Sequence, residues 1–288
     1  MKTAAVVILY YPTLETLHNI STYANAVDKI FVFDNSEEST FMKDRLCELQ
    51  NVVYFHDKHN AGIAQRLNTG AKMAIHEGFD WLLMMDQDSR FDNCSIKFYL
   101  DSINDFSDKA KVGLFGPQFD RKNQTSITQS ISKEVDSIIT SGTMLNLAAY
   151  KEIGEFDEKL FIDGVDIEYC LRVQKAGYKI IQFMNIFLQH ELGKTAIKAS
   201  IKTLYLVKKE KELHSPLRYY YMYRNNLYLQ SKYKEFDKQK MQKINKNAMS
   251  FLKKGFFYGD SSWEIIKYVI EARRDFKQNK MGKYQPDL

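Results

Sequence analysis

Three cysteines in 288 residues, Cys47, Cys94 and Cys170, are too few and too scattered for a disulfide framework or a cysteine metal site, and they fit a reducing cytosol. No apolar run approaches the roughly 18–20 residues that a membrane-spanning helix needs. The first eleven residues carry one lysine and then a β-branched run without a small-residue cleavage site, which reads as a buried strand and not a signal peptide. Internal repeats are absent. So is the low hydrophobicity of a disordered chain, because 44% of the residues are hydrophobic and 27% charged. Collagen-like, disulfide-stapled, membrane-spanning and nucleic-acid-tail classes are excluded. What remains is one large α/β domain with an appendage, or two small domains.

The formal charge of +5 is unevenly spread. Residues 1–190 hold 19 basic and 26 acidic side chains, whereas residues 191–288 hold 22 and 10. An acidic body with a basic tail implies that the tail meets something anionic: a phospholipid surface, a phosphorylated substrate or nucleic acid. Tyr219, Tyr220, Tyr221, Tyr223, Phe256, Phe257 and Tyr258 interleave with that charge. Two readings stay open for them, a membrane interface and a solvated helical face packed down by its aromatics.

The first half alternates short apolar runs with helical patterns. Strands are expected at residues 4–10, 29–34, 51–56 and 81–85, with helices at 14–27, 40–49 and 62–78 between them. That order signals a mostly parallel, Rossmann-like sheet covered on both faces. Right-handed crossovers then gather the strand C-terminal ends on one edge, where open α/β sheets bind ligands. The polar clusters fall at those ends: Tyr11-Pro12, Asp34-Asn35-Ser36, residues 57–60, and Asp86-Gln87-Asp88. Further along, a strand is expected at 112–119, a polar loop at 123–132, a strand pair around Gly142 at 135–147, and a turn, acidic cluster and helix at 151–177. A last strand at 179–189 ends at His190, and the remaining tail reads as helical.

Asp86 and Asp88 follow an all-apolar strand, and two carboxylates so placed call for a cation or neighbouring donors. Mg²⁺ or Mn²⁺ suits such oxygen ligands and leaves positions for phosphates. His190 completes a metal shell if both strands end on the same edge, and its imidazole favours Mn²⁺. Asp163, Asp166 and Glu168 precede a helix, where carboxylates either cap it or act as a general base. Arg172, one turn beyond Glu168, pairs with it, which makes Glu168 a support and leaves Asp163 and Asp166 as bases. Asn60 is a potential N-cap of the next helix, Gly62 lets backbone approach a ligand, Arg66 suits a diphosphate and Asn68 a ribose or sugar. Cap chemistry alone also accounts for these residues.

Taken together, Phe33-Asp-Asn-Ser36, Asn60-Ala-Gly-Ile-Ala64 with Asn68-Thr-Gly70, Met85-Asp-Gln-Asp-Ser89, Ser141-Gly-Thr143, the run from Gly154 to Glu168, His190-Glu-Leu-Gly193 and Arg218 to Asn226 resemble the family-two inverting glycosyltransferases with the GT-A fold. More narrowly they resemble the rhamnosyltransferase-like branch that uses dTDP-L-rhamnose for bacterial surface polysaccharides, over roughly residues 3–230. The resemblance implies that Asp34 bonds the pyrimidine, with Asn35 and Gln87 among the donor-binding residues and the Tyr11-Pro12 turn walling the base. It implies that Asp86 contacts ribose or sugar, that Asp88 and His190 hold Mn²⁺ or Mg²⁺, and that Asp166 deprotonates the acceptor hydroxyl. Ser141, Gly142 and Thr143, with Glu168 and Arg172, fall to acceptor binding or support. This chain departs from the family at Tyr10-Tyr11-Pro12, where Tyr-Asn-Pro is common, and at Val165-Asp166, where Glu-Asp is common. Asp163 stays a rival base.

The expected layout is a GT-A catalytic domain at 1–193, with a nucleotide-sugar half at about 1–110 and an acceptor half at about 111–193, followed by a basic, aromatic helical region at 194–288. The expected partners are the nucleotide-sugar donor, a glycan or polyprenyl-linked acceptor, an anionic membrane surface met through the C-terminal region, and a second copy in a homodimer. Location would be cytoplasmic, at the inner face of the membrane. A UDP-galactofuranose or UDP-galactose transferase is the alternative donor reading, and a catalytically silent nucleotide-sugar binding module the alternative class. Nucleic acid is disfavoured, because the acidic cleft would repel a phosphate backbone.

Overall fold

The computed structural model describes residues 1–92, 95–119, 129–190, 195–199, 208–259 and 261–286, the side chains of 190, 195–199 and 208–212 excepted. Cys94, most of the polar loop at 123–132, and residues 191–193 of the His190 motif lie outside the described residues. Two compact units emerge, one of Met1–Glu158 with Val165–Glu191, the other of Lys159–Gly164 with Leu192–Leu288.

The first unit runs β1 (Thr3–Leu9), α1 (Leu14–Ala24), β2 (Lys29–Asp34), α2 (Met42–Leu46), β3 (Val52–His56), α3 (Ile63–His76), β4 (Trp81–Asp86), β5 (Ser89–Phe91) and α4 (Ser95–Asn104). It continues through β6 (Val112–Phe119), β7 (Ser132–Glu134), β8 (Thr143–Asn146), α5 (Leu147–Ile153), α6 (Val165–Lys175) and β9 (Lys179–His190). A nine-stranded sheet has the order β3-β2-β1-β4-β8-β6-β9-β5, with β7 beside β9. Strands β1 to β4 are mutually parallel, as their uninterrupted apolar runs require of strands covered on both faces. The other side is mixed: β8 runs antiparallel to β4 and β6, and β5 and β7 antiparallel to β9. The sheet as a whole is therefore mixed and not purely parallel.

Burial explains the parallel half. Ala4 to Val7, Ile30 to Val32, Leu82 and Leu83 are sealed from solvent, and each buried Val, Leu or Ile contributes about 1.5–3 kcal/mol. Helix α3 turns Ala64, Leu67, Asn68, Ala71 and Ala74 inward at helical spacing. Gly70 in its middle is a close-approach residue, since a Cβ there would stand 2.7 Å from Val6 Cγ2 of β1. The helix lies tight on the sheet because that position has no side chain.

Two local expectations are corrected. The helix expected at 40–49 shortens to α2 (Met42–Leu46), because the Thr40 hydroxyl donates to Asp34 Oδ2 at 2.7 Å and holds the approach as loop. The strand pair around Gly142 does not form. Gly142 N donates to Met84 O at 2.8 Å, so the chain has joined β4 at that point and enters the sheet as the single strand β8. The short strand β5, for which no expectation was made, pairs with the end of β9.

The second unit contains the antiparallel pair β10 (Thr195–Ala199) and β11 (Lys208–Glu212), which the helical reading of the tail did not anticipate. Then follow α7 (Pro216–Lys232), α8 (Lys238–Tyr258) and α9 (Ser262–Lys277), which pack on one another. Tyr219, Tyr220, Tyr221 and Tyr258 are buried inside this unit. Among the described residues no helix is long and apolar enough to cross a membrane.

Candidate active site

Register fixes where the polar strand ends lie. In the parallel ladder Leu9 pairs with Asp34, Ile8 with Asp86, and Asp34 with His56. The C-terminal ends of β1, β2, β3 and β4 therefore form one edge, and Asp86, Gln87 and Asp88 leave it half-buried. Strand β5 turns back from there against β9, and Ser89 stands opposite His190.

The loop after β4 is pinned on several sides. Asp86 N donates to Ser141 Oγ at 3.2 Å. Gln87 pairs with the backbone of Tyr10 in both directions, accepting from Tyr10 N at 2.8 Å and donating to Tyr10 O at 3.1 Å. Asn19 Nδ2 donates to Gln87 O at 3.0 Å, and Ser89 Oγ to Asp88 Oδ1 at 3.4 Å. Arg90 donates to Glu15 at 3.1 Å and to Gln189 at 2.9 Å. A carboxylate carried by so tethered a loop meets a ligand without first losing conformational freedom.

Beside this loop, Tyr10 and Tyr11 are 46% and 50% exposed, with ring centroids 4.7 Å apart in an edge-on arrangement. Tyr11 has φ +46°, a left-handed conformation that a bulky side chain rarely adopts, and Tyr11 N donates to Ser36 Oγ at 2.7 Å. Such strain concentrates at ligand clamps. Partial burial, then the Glu37 carboxylate, pushes both phenols above their ordinary range. Tyr10 and Glu37 escaped the sequence reading, Tyr10 because it ends an apolar run that looked wholly buried. Pro12 is buried beneath the turn.

Several expected ligand contacts are already satisfied internally. Asp34 is fully buried and accepts from Ser36 N at 2.9 Å, Thr40 Oγ1 at 2.7 Å and Tyr54 OH at 2.7 Å. Burial acts to raise its pKa, but the donors from Ser36, Thr40 and Tyr54 outweigh it and hold the carboxyl below the usual range. Asp34 thus organises the loop after β2. Arg66 gives Nε to Asn35 Oδ1 at 2.7 Å, and Nη2 to Asp57 Oδ1 at 2.6 Å and His59 O at 2.8 Å. The bond from Arg66 is what chiefly lowers the Asp57 pKa. This guanidinium ties β2 to the loop after β3.

Asn68, expected at the sugar, has its amide engaged inside the protein. Nδ2 donates to Phe156 O at 3.0 Å and Glu158 Oε1 at 2.9 Å, while Oδ1 accepts from Tyr150 OH at 2.9 Å and Phe156 N at 2.8 Å. Two donors and two acceptor positions are the full capacity of an amide. The N-cap of α3 is Gly62, not Asn60; Asn60 Oδ1 instead accepts from Gly62 N at 3.1 Å. Gly62 has φ +80°, and among the described residues no side chain caps α3 from that position.

On the second half of the unit, Ser141 and Thr143 are buried, Ser141 holding Asp86 N and Thr143 donating to Ile139 O at 2.6 Å. Glu168, fully buried, receives Arg172 Nε at 2.9 Å and Nη2 at 2.8 Å, which is the expected support pair. Asp166 lies in the first turn of α6, half-buried, and accepts from Ile167 N at 2.8 Å. Asp163 belongs to the other unit, where Arg218 Nη2 donates to it at 3.1 Å and Asn225 Nδ2 donates to its carbonyl at 2.8 Å.

No known family model matches the chain. The dTDP-rhamnosyl transferase RfbF of Shigella flexneri is 29% identical over 239 residues, 77% of each chain. Among solved structures, S. aureus TarS 1–349 in complex with UDP-GlcNAc superposes with a TM-score of 0.56 at 15% identity, over 96% of this chain and 81% of that one. GalNAc-T7 with UDP, GalNAc and Mn²⁺ gives a TM-score of 0.52 at 14% identity, over 66% of this chain and 44% of that one. This chain thus matches less than half of the length of GalNAc-T7. The chain has the GT-A fold of these glycosyltransferases. Its resemblance to the rhamnosyltransferase-like branch is borne out by the RfbF match.

A metal would have to be held in this fold at the end of β4. Among the described residues no three His, Cys, Asp or Glu side chains stand together as a metal group. Asp86 and Asp88 supply two hard oxygen donors, and the pairing of Ser89 with His190 brings the His190 backbone next to them, its side chain lying outside the described residues. That donor set fits a divalent cation of the Mg²⁺ or Mn²⁺ type.

Proposed function

We propose that this glycosyltransferase moves L-rhamnose from dTDP-L-rhamnose to a glycan or polyprenyl-linked acceptor with inversion at the anomeric carbon. The observation that carries the reading is the ladder register, in which β1, β2 and β4 end together and deliver the tyrosine pair and the Asp86-to-Asp88 loop to one edge. The 29% relative supports the donor assignment, being a dTDP-rhamnosyl transferase by name.

The thymine ring stacks against Tyr11, with Tyr10 closing the wall, since exposed aromatic faces bind heterocycles by stacking. The buried Asp34 and Arg66 keep that wall in position. Asp86 accepts a hydrogen bond from a ribose or sugar hydroxyl, on a loop fixed by Gln87 and Ser141. Asp88 and His190 would hold a divalent cation, which supplies positive charge for the departing diphosphate. Asp166 takes the proton of the acceptor hydroxyl as that oxygen attacks the anomeric carbon, the bond to dTDP breaks, and the phosphate oxygen keeps the electron pair. One displacement suffices for inversion. Glu168 and Arg172 hold the helix that carries Asp166.

The test is a thermal-shift panel of nucleotide sugars with and without Mn²⁺, followed by transfer assays with the donor that binds, because a ligand selective for the folded state raises Tm by mass action. Stabilisation by dTDP-L-rhamnose and turnover of it support the reading. Selective stabilisation by a UDP-sugar transfers the assignment to that donor class. Donor binding with no turnover on any glycan acceptor leaves a nucleotide-sugar binding module.

A further inference from the structure

Surface helices ordinarily turn charge to water, but α9 turns out apolar side chains. Trp263 is 80% exposed and Ile270 64% exposed, seven residues apart on one helix face, with exposed Lys267 between them. Ser262 Oγ donates to Phe256 O at 2.8 Å, closing the corner between α8 and α9 and bringing Phe256, itself 41% exposed, beside the start of α9. Helix α8, which leads into this corner, contains six lysines and no acidic residue. Lys243, Lys246 and Lys253 are exposed and share one side of it. Among the described residues of the corner, Glu264 is exposed and acidic.

The tyrosines that first suggested a membrane interface are engaged elsewhere. Tyr220 OH donates to Asp275 at 2.7 Å, and Tyr221 OH accepts from Tyr284 N at 2.8 Å, both in the core of the helical unit. Of the aromatics first read as a membrane interface Phe256 stays exposed, and Trp263 and Ile270 of α9 join it.

We propose that the α8–α9 corner seats this protein on an anionic phospholipid bilayer, with Trp263 and Phe256 at the headgroup boundary and Lys243, Lys246 and Lys253 against lipid phosphates. Tryptophan is favoured at that boundary, and basic helices gain from the negative surface potential. Charge selects the occupant. Two copies meeting symmetrically over this face would set lysine against lysine, whereas an anionic bilayer complements it. The inference is independent of the sugar transferred, so a failure of the donor assignment leaves it standing.

Tryptophan emission and flotation with vesicles test it together. Of the two tryptophans, Trp81 is 6% exposed and silent to the surface, so a change reports Trp263. Vesicles containing phosphatidylglycerol should shift the emission to the blue and protect it from iodide, while pure phosphatidylcholine vesicles should do neither. Trp263→Ser with Phe256→Ser should lower partitioning by roughly tenfold or more, and Lys246→Gln with Lys253→Gln by about fivefold per lysine at low salt. An unshifted spectrum with anionic vesicles overturns the proposal. So does concentration-dependent protection of Trp263 without vesicles accompanied by dimers in sedimentation, which would make a second copy the occupant.

Discussion

Ser89 stands opposite His190 in the antiparallel pairing of β5 with β9, so residues separated by about a hundred positions in sequence meet one residue beyond Asp88. Directly opposed residues in such a ladder have Cα atoms about 4.5–5.5 Å apart. A chelator should therefore abolish sugar transfer, and added Mn²⁺ or Mg²⁺ should restore it. Asp88→Asn and His190→Ala should each raise the metal concentration needed for half-maximal rate by about 10- to 100-fold. Titrating metal against initial rate measures this, and unchanged activity in excess EDTA refutes it.

Asp166 and Asp163 can be separated by substitution. Asp166→Asn should lower the transfer rate by about 10²- to 10⁴-fold with donor affinity intact. Asp163→Asn breaks the pair with Arg218 in the helical unit and should lower Tm with little change in rate. Rates and donor binding measured on both variants decide the matter; the reverse pattern makes Asp163 the base.

Asn68→Ala removes four internal hydrogen bonds and leaves the Phe156 amide and the Tyr150 hydroxyl without their partner. The cost should be about 3 kcal/mol, read as a lower denaturant midpoint. Donor affinity of the remaining folded protein should match that of the parent. A stable variant with weakened donor binding would return Asn68 to the ligand.

Acid stability follows from Asp34. Its folded pKa lies below the ordinary carboxylate value of about 4, so its contribution is present above that pH and is lost as pH falls through the folded value. Tyr54→Phe removes one donor, raises the Asp34 pKa and moves the acid-unfolding midpoint to higher pH. Circular dichroism across the acid range measures the shift, and coincident midpoints for the two proteins would count against it.

Much of the fold was legible because burial on both faces leaves a simple signature. β2 and β6 have the bounds expected of them, 29–34 and 112–119, and β4 runs one residue further, to Asp86. The i, i+4 pair of Glu168 with Arg172 was equally readable, since helical spacing alone brings the two side chains together. Asp34, Arg66 and Asn68 were found for a good reason, being polar residues at the ends of apolar elements, but their partners could not be read from sequence. Phe156 and Glu158 lie 88 and 90 positions from Asn68.

The sequence by itself determined the alternating α/β order, the edge where polar residues gather and the charge division between body and tail, because each depends on local periodicity or composition. Only the tertiary structure decided that β8 slips in beside β4, that Asn68 spends its whole amide inside the protein, and that Trp263 and not the tyrosine cluster faces water. Those outcomes depend on which distant groups fill a residue's hydrogen-bonding capacity or cover its apolar surface, and a one-dimensional pattern carries no record of that.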